Sequence, residues 1–117
     1  MSDIRANTIS DTSGNGPINL HKQSAAKAWC HVAPYAVLND GFNISGSIDN
    51  GPGDITLSFT SGFSSIRYPT PSVAQNGVDK SVTVTGPTTS SFTLLCFGQS
   101  GGAGNSTIHT VSFGDLA

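Results

Sequence analysis

Apolar side chains recur at every second position along much of this chain, which is the period of a β-strand and not of a helix. The clearest run is Ile55, Leu57 and Phe59, alternating with Thr56, Ser58 and Thr60. It predicts a strand with one buried face and one hydroxyl face. Upstream, Tyr35 and Val37, then Phe42, Ile44 and Ile48, occupy alternate positions in their own short runs. Asp49, Asn50, Gly51, Pro52 and Gly53 concentrate turn formers between the two segments. Together they read as a hairpin with a five-residue loop. A later strand is expected over 78–85, with Val78, Val82 and Val84 on one side. The stretch 91–97 is apolar on both faces, Phe92, Leu94 and Cys96 against Leu95 and Phe97, as expected of a strand covered on both sides. A glycine-rich loop over 98–105 follows, and Ile108, Val111 and Phe113 mark a last strand.

Two segments break this pattern. Ser24 is placed to cap a short helix over 25–29, the only run of good helix formers in the chain, two turns at most and ending before Pro34. Trp29, the largest apolar side chain, is expected to pin that turn to the sheet. Residues 1–23 carry only isolated apolar side chains (Ile4, Ile9, Ile18, Leu20) among Ser, Thr, Asn and Asp. Such a segment cannot bury enough apolar surface to fold alone and reads as an extended arm. The expected architecture is therefore all-β: a small antiparallel β-sandwich or barrel over 24–117, with an extended N-terminal arm and one short helix.

Composition sharpens this picture. The 117 residues correspond to one domain. All seven acidic residues are aspartates, and Ser, Thr and Gly make up over a third of the chain. The absence of glutamate and the scarcity of lysine argue against extensive helix. A net charge of −2 with scattered basic residues offers no footprint for nucleic acid or an anionic membrane. No stretch approaches the length of a membrane span, and no secretory leader follows Met1. The expected location is the cytoplasm in which the chain is made, or a larger particle assembled there. Cys30 and Cys96 are the only cysteines, and in that setting they are expected to be buried thiols that act as small hydrophobes.

Candidate chemistry is thin. Ser24-Ala25-Ala26-Lys27 has the Ser-x-x-Lys spacing of penicillin-recognising enzymes, but the partner motifs are missing and a capped turn is the simpler reading. His21, His31 and His109, alone or with Cys30 or Cys96, show no zinc-site spacing, and Cys30 and His31 point apart in an extended chain. Asp49, Asn50, Gly51 and Asp54 superficially suggest a calcium loop but lack its carboxylate ladder and closing glutamate. The glycines at 98, 101, 102 and 104 are not followed by the Gly-Lys-Ser/Thr that holds a phosphate. The sequons at Asn43 and Asn105 have no consequence without a secretory route. Trp29, Tyr35 and Tyr68 offer rings for stacking on sugars, and residues 67–71 and the glycine loop are candidate exposed tips. No catalytic, cofactor-binding or metal residues, no cofactor and no enzymatic activity are expected.

The segment 4–61 adds context. Residues 4–11 (Ile-Arg-Ala-Asn-Thr-Ile-Ser-Asp), Gly16-Pro17 and 23–29 (Gln-Ser-Ala-Ala-Lys-Ala-Trp) resemble a segment of tailed-bacteriophage tail-fibre-type virion proteins. So do Phe42-Asn43-Ile44-Ser45, the Ile48-Asp49-Asn50-Gly51 turn and Gly53-Asp54 before the alternating strand. That family carries an apolar residue where Cys30 stands and often an Asn-Gly loop after it; here Cys-His-Val-Ala-Pro-Tyr fills 30–35. From Arg67 onward the resemblance stops. It implies a non-enzymatic structural protein of a phage virion, a short homotrimeric fibre or tip on the particle exterior with a role in host recognition. The arm would contact other virion proteins of tail or capsid, and a host-surface receptor or glycan would be the outer partner. The alternatives are a capsid decoration (cement) protein that stabilises the head and, behind it, a stand-alone carbohydrate-binding module.

Overall fold

A computed structural model describes residues 26–75, 80–98 and 102–117. These residues form eight strands and one 3-10 turn. The strands are β1 (Ala26–Ala33), β2 (Val37–Phe42), β3 (Ile44–Gly51), β4 (Asp54–Phe59), β5 (Ser72–Ala74), β6 (Lys80–Thr85), β7 (Ser91–Gly98) and β8 (Ile108–Phe113), with the 3-10 turn Pro34–Ala36 between β1 and β2. They make two four-stranded sheets, in the orders β2-β1-β8-β5 and β3-β4-β7-β6. Every pairing is antiparallel. The sheets pack face to face, so the expected all-β sandwich is the observed fold. Strands β4 to β7 follow a Greek key, since the chain leaves β4, crosses to β5 in the first sheet and returns through β6 to β7 beside β4. The arm proposed for residues 1–23, Val78, and the middle of the glycine loop lie outside the described residues.

The core is the period-2 pattern made physical. Ile55, Leu57 and Phe59 from β4 meet Phe92, Leu94 and Cys96 from β7, and all are buried. Ala28, Cys30, Val32 and Ile108 close over them from the first sheet. At one end Phe59, Phe63, Tyr68 and Phe92 form an aromatic cluster, with Phe63 and Tyr68 stacked at 4.5 Å. Tyr68 is only 7% exposed, and its hydroxyl lies 2.7 Å from the Thr88 carbonyl and 2.9 Å from the Ser91 carbonyl. Its single proton is shared between two carbonyls of the β6–β7 connection, which staples the β4–β5 crossover to the second sheet.

Several expectations are corrected. The short helix is absent: Ala26 to Trp29 begin β1, which pairs with β2 on one side and β8 on the other. A helix of that length cannot sustain itself, whereas a central strand satisfies its backbone on both edges and buries Ala28, Cys30 and Val32. Trp29 consequently faces outward, 40% exposed, and pins nothing to the core. The β3–β4 loop is tighter than five residues, because Gly51 pairs with Asp54 and only Pro52 and Gly53 remain in the turn. Strand β7 is covered on one face only, with Leu95 and Phe97 half-exposed on the other. In β8, Ile108 points inward but Val111 and Phe113 point out. Thr110 and Ser112 are buried instead, since hydroxyls of the crossover satisfy them: Ser72 Oγ donates to Thr110 Oγ1 at 2.7 Å, and Thr70 Oγ1 lies 3.0 Å from Ser112 Oγ.

Cys30 and Cys96 are buried and unpaired. Burial pushes the Cys30 thiol up to about 12 from its ordinary 9.0. Burial also raises Cys96, with Lys80 pulling the other way, and raises Tyr68. A thiol held neutral in the fold but free to ionise when unfolded contributes its stability in full below pH 9 and loses it as pH rises toward 12. The unfolding free energy is therefore expected to fall above pH 9, by up to about 1.4 kcal/mol per pH unit for Cys30. Urea midpoints from about pH 8 to pH 10.5 check this, and Cys30→Ala should show a shallower decline.

Candidate interaction surface

The two sheets turn different surfaces outward. The outer face of the second sheet mixes hydroxyls with three apolar residues, Ile48, Leu95 and Phe97. Thr56, Thr93 and Thr85 sit in one register row across β4, β7 and β6, with Thr56 Oγ1 3.0 Å from Thr93 Oγ1, and Ser58 pairs with Ser91 alongside. The outer face of the first sheet is aromatic and apolar. Trp29 lies opposite Phe42 on one neighbouring strand and Val111 on the other, so the three form a continuous row across β2, β1 and β8. Phe42 is 55% exposed. Below this row runs a second, Asp40, His31, His109 and Val73, spanning all four strands. The His31 and His109 rings stack at 4.6 Å, and the Nε2 of each lies within hydrogen-bond distance of Gln75 Oε1. Pro71, Val73, His109 and Val111 line a shallow depression of about 260 Å³ at the β5–β8 edge. That is smaller than the pockets that enclose a drug-sized ligand and suits contact with a protruding group.

At the β1–β2 end of this sheet the 3-10 turn presents Tyr35, 69% exposed, in the left-handed conformation at φ 62, followed by Ala36 at φ 56. Non-glycine residues adopt this conformation at a cost of about 1–2 kcal/mol each. Ser47 Oγ donates to the Ala36 carbonyl at 2.5 Å and ties the turn to β3. Asn43 controls the passage between sheets. It sits at φ 59 between β2 and β3, its Nδ2 donating to the carbonyls of Lys27 and Ser61 and its Oδ1 accepting from Ser61 N–H.

The residues singled out in the sequence are distributed as follows. Lys27 lies on β1, and Ser24 is outside the described residues. Cys30 and Cys96 face the core while His31 and His109 face out, so among the described residues cysteine and histidine do not converge. His21 is outside the described residues; His31 and His109 meet. Asp49, Asn50 and Asp54 satisfy their own turn: Gly51 N–H donates to Asp49 Oδ1, and Asn50 Nδ2 donates to Asp54 Oδ1 and Thr56 Oγ1. Asn105 Oδ1 accepts from Gly53 N–H, and Gly104 N–H donates to the Cys96 carbonyl, so this part of the glycine loop is a latch over the β3–β4 turn. Within residues 67–71, Arg67, Pro69 and Pro71 are exposed, whereas Tyr68 is core and the Pro69 and Pro71 carbonyls accept from Phe113 and Val111. Of the three rings considered for sugar stacking, Trp29 and Tyr35 are exposed and Tyr68 is not. Among the described residues, no three His, Cys, Asp or Glu side chains gather as a metal cage.

No protein family, curated protein or solved structure matches the chain.

Proposed function

We propose that this chain is a non-enzymatic structural protein of a tailed-phage virion, a short homotrimeric fibre or tip on the particle exterior. In this reading the outer face of the first sheet, with Trp29 and Phe42 at its centre, is the surface through which copies associate. The observation that carries it is that, whereas Ile48, Leu95 and Phe97 on the outer face of the second sheet are set among hydroxyls, Phe42, Trp29 and Val111 form a contiguous row across the outer face of the first. A face of that kind left in water is a contact surface in waiting. The arm at 1–23 then joins the domain to other virion proteins, and Tyr35 with its turn is available for a host-surface receptor or glycan. The resemblance of residues 4–61 to tail-fibre-type proteins supplies the virion setting. Particles assembled without this chain are expected to lack an external appendage under electron microscopy and to adsorb less well; unchanged particles with unchanged adsorption would rule the reading out.

A second reading, a capsid decoration protein, draws support from one feature. All eight described strands find their partners within one chain, so the domain does not need interleaved neighbours to complete its sheets. Copy number separates the two. A molar amount near that of the major capsid protein means decoration, and a few dozen copies or fewer means an appendage.

A further inference from the structure

Outside the aromatic row, the most specific arrangement on this face is the histidine pair. His31 on β1 and His109 on β8 are directly opposed in register, and their rings stack at 4.6 Å with 26° between planes. His31 Nε2 lies 3.2 Å and His109 Nε2 2.9 Å from the same atom, Gln75 Oε1. An amide oxygen only accepts, so the two contacts are hydrogen bonds in the tautomer that carries the proton on each Nε2. Moving each proton to Nδ1 aims two lone pairs at the place of that oxygen without changing the charge of either ring. Two imidazole nitrogens bound to one metal at about 2.0–2.1 Å in tetrahedral geometry stand roughly 3.3 Å apart, which these rings reach by rotating out of the 26° stack about their Cβ–Cγ bonds.

We infer that His31 and His109 form a two-histidine site for a borderline transition-metal cation such as Zn²⁺, Ni²⁺ or Cu²⁺. Paired imidazoles select this group of ions over magnesium or calcium, which prefer oxygen. On binding, the ion takes the place of the two Nε2–H hydrogen bonds, and Gln75 either turns aside or offers its carbonyl oxygen. Water completes the shell, since no third histidine, cysteine or carboxylate is gathered there among the described residues. Asp40, opposite His31 in the same outward row, adds negative charge beside the ion. In a single chain the site faces solvent, with His109 exposed and His31 partly buried, unlike a closed structural zinc site.

The test is titration of the full chain with Zn²⁺ alone, read by calorimetry and by imidazole ¹⁵N shifts. One saturable site is expected, with the ring nitrogens of His31 and His109 shifting together. Either His31→Gln or His109→Gln should weaken binding at least ~10-fold, while His21→Gln leaves it unchanged. The wild-type ring shifts stand as a readout even if a variant folds poorly. Absence of saturable binding, binding that survives both His31→Gln and His109→Gln, or binding that follows His21 would overturn the assignment.

Discussion

Gly53→Ala is expected to lower the unfolding free energy by about 3–5 kcal/mol, among the largest effects available to a single methyl group in this protein. Gly53 sits at φ +69, a conformation that costs an alanine about 1–2 kcal/mol by itself. The larger share is steric. A Cβ there would lie 2.5 Å from the Cys96 carbonyl oxygen and 2.8 Å from both the nitrogen and the carbonyl oxygen of Gly104. These are backbone atoms that cannot rotate away. They also belong to the latch itself, in which Cys96 N–H donates to Gly53 O at 2.7 Å and Gly104 N–H donates to Cys96 O at 3.1 Å. Accommodating the methyl group means opening the hydrogen bonds that hold the β3–β4 turn against β7 and the 102–107 segment. Gly51 is the internal control, since it also has positive φ (+144) but nothing within 4 Å of its would-be Cβ. Gly51→Ala is expected to cost only the backbone term. Urea unfolding with unchanged m-value checks both, and equal midpoints for the two variants would show that the latch is not what constrains residue 53.

Asn43→Ala is expected to cost about 3–4 kcal/mol, for a different reason. Its three side-chain hydrogen bonds hold the corner where the chain passes from the first sheet to the second, reaching back to β1 at Lys27 and forward to Ser61. Each such bond contributes on the order of 1 kcal/mol net, and the groups abandoned by an alanine include two carbonyls and an amide near the sheet edge. Asparagine also tolerates the left-handed conformation at φ 59 better than alanine does. Two further variants separate these causes. Asn43→Gly should recover about 1 kcal/mol relative to alanine by relaxing the backbone. Asn43→Asp keeps the acceptor for Ser61 N–H but turns a carboxylate toward two carbonyl oxygens, so it should be no better than alanine. A stable Asn43→Asp protein would mean that the corner is held by backbone geometry alone.

What could be read in the sequence was what depends on local pattern. Strand β4 announces itself, because Ile55, Leu57 and Phe59 are all buried and their neighbours all hydroxylated. The Asp49 to Gly53 cluster marks the reversal, although Asp49, Asn50 and Gly51 themselves complete β3 and leave only Pro52 and Gly53 in the turn. Strand β1 was hidden because its alanines and lysine favour helix weakly, whereas its place at the centre of a sheet is a tertiary fact. Trp29 differs for a related reason: an aromatic residue signals burial, but its parity, opposite to that of the buried Ala28, Cys30 and Val32, sends it outward. Strand β8 misleads further, because Thr110 and Ser112 are buried by hydroxyl pairing with Thr70 and Ser72, a partnership between segments far apart in the chain. The same holds for the candidate surface. His31 follows Cys30 and precedes Val32, and His109 follows Ile108, so alternation alone places each histidine on an outer face. That the two strands are neighbours, in the register that stacks these rings, is set by the pairing of β1 with β8 across the first sheet and by no local signal.

The account rests on the outer face of the first sheet being where copies of this chain meet. Sedimentation equilibrium on the purified chain at micromolar concentration tests it most directly, comparing the wild type with a Trp29→Ser, Phe42→Ser double variant whose fold is verified by circular dichroism. The expected result is three chains per particle for the wild type and a folded single chain for the variant. A wild type of one chain, or a variant that still assembles in threes, would contradict it.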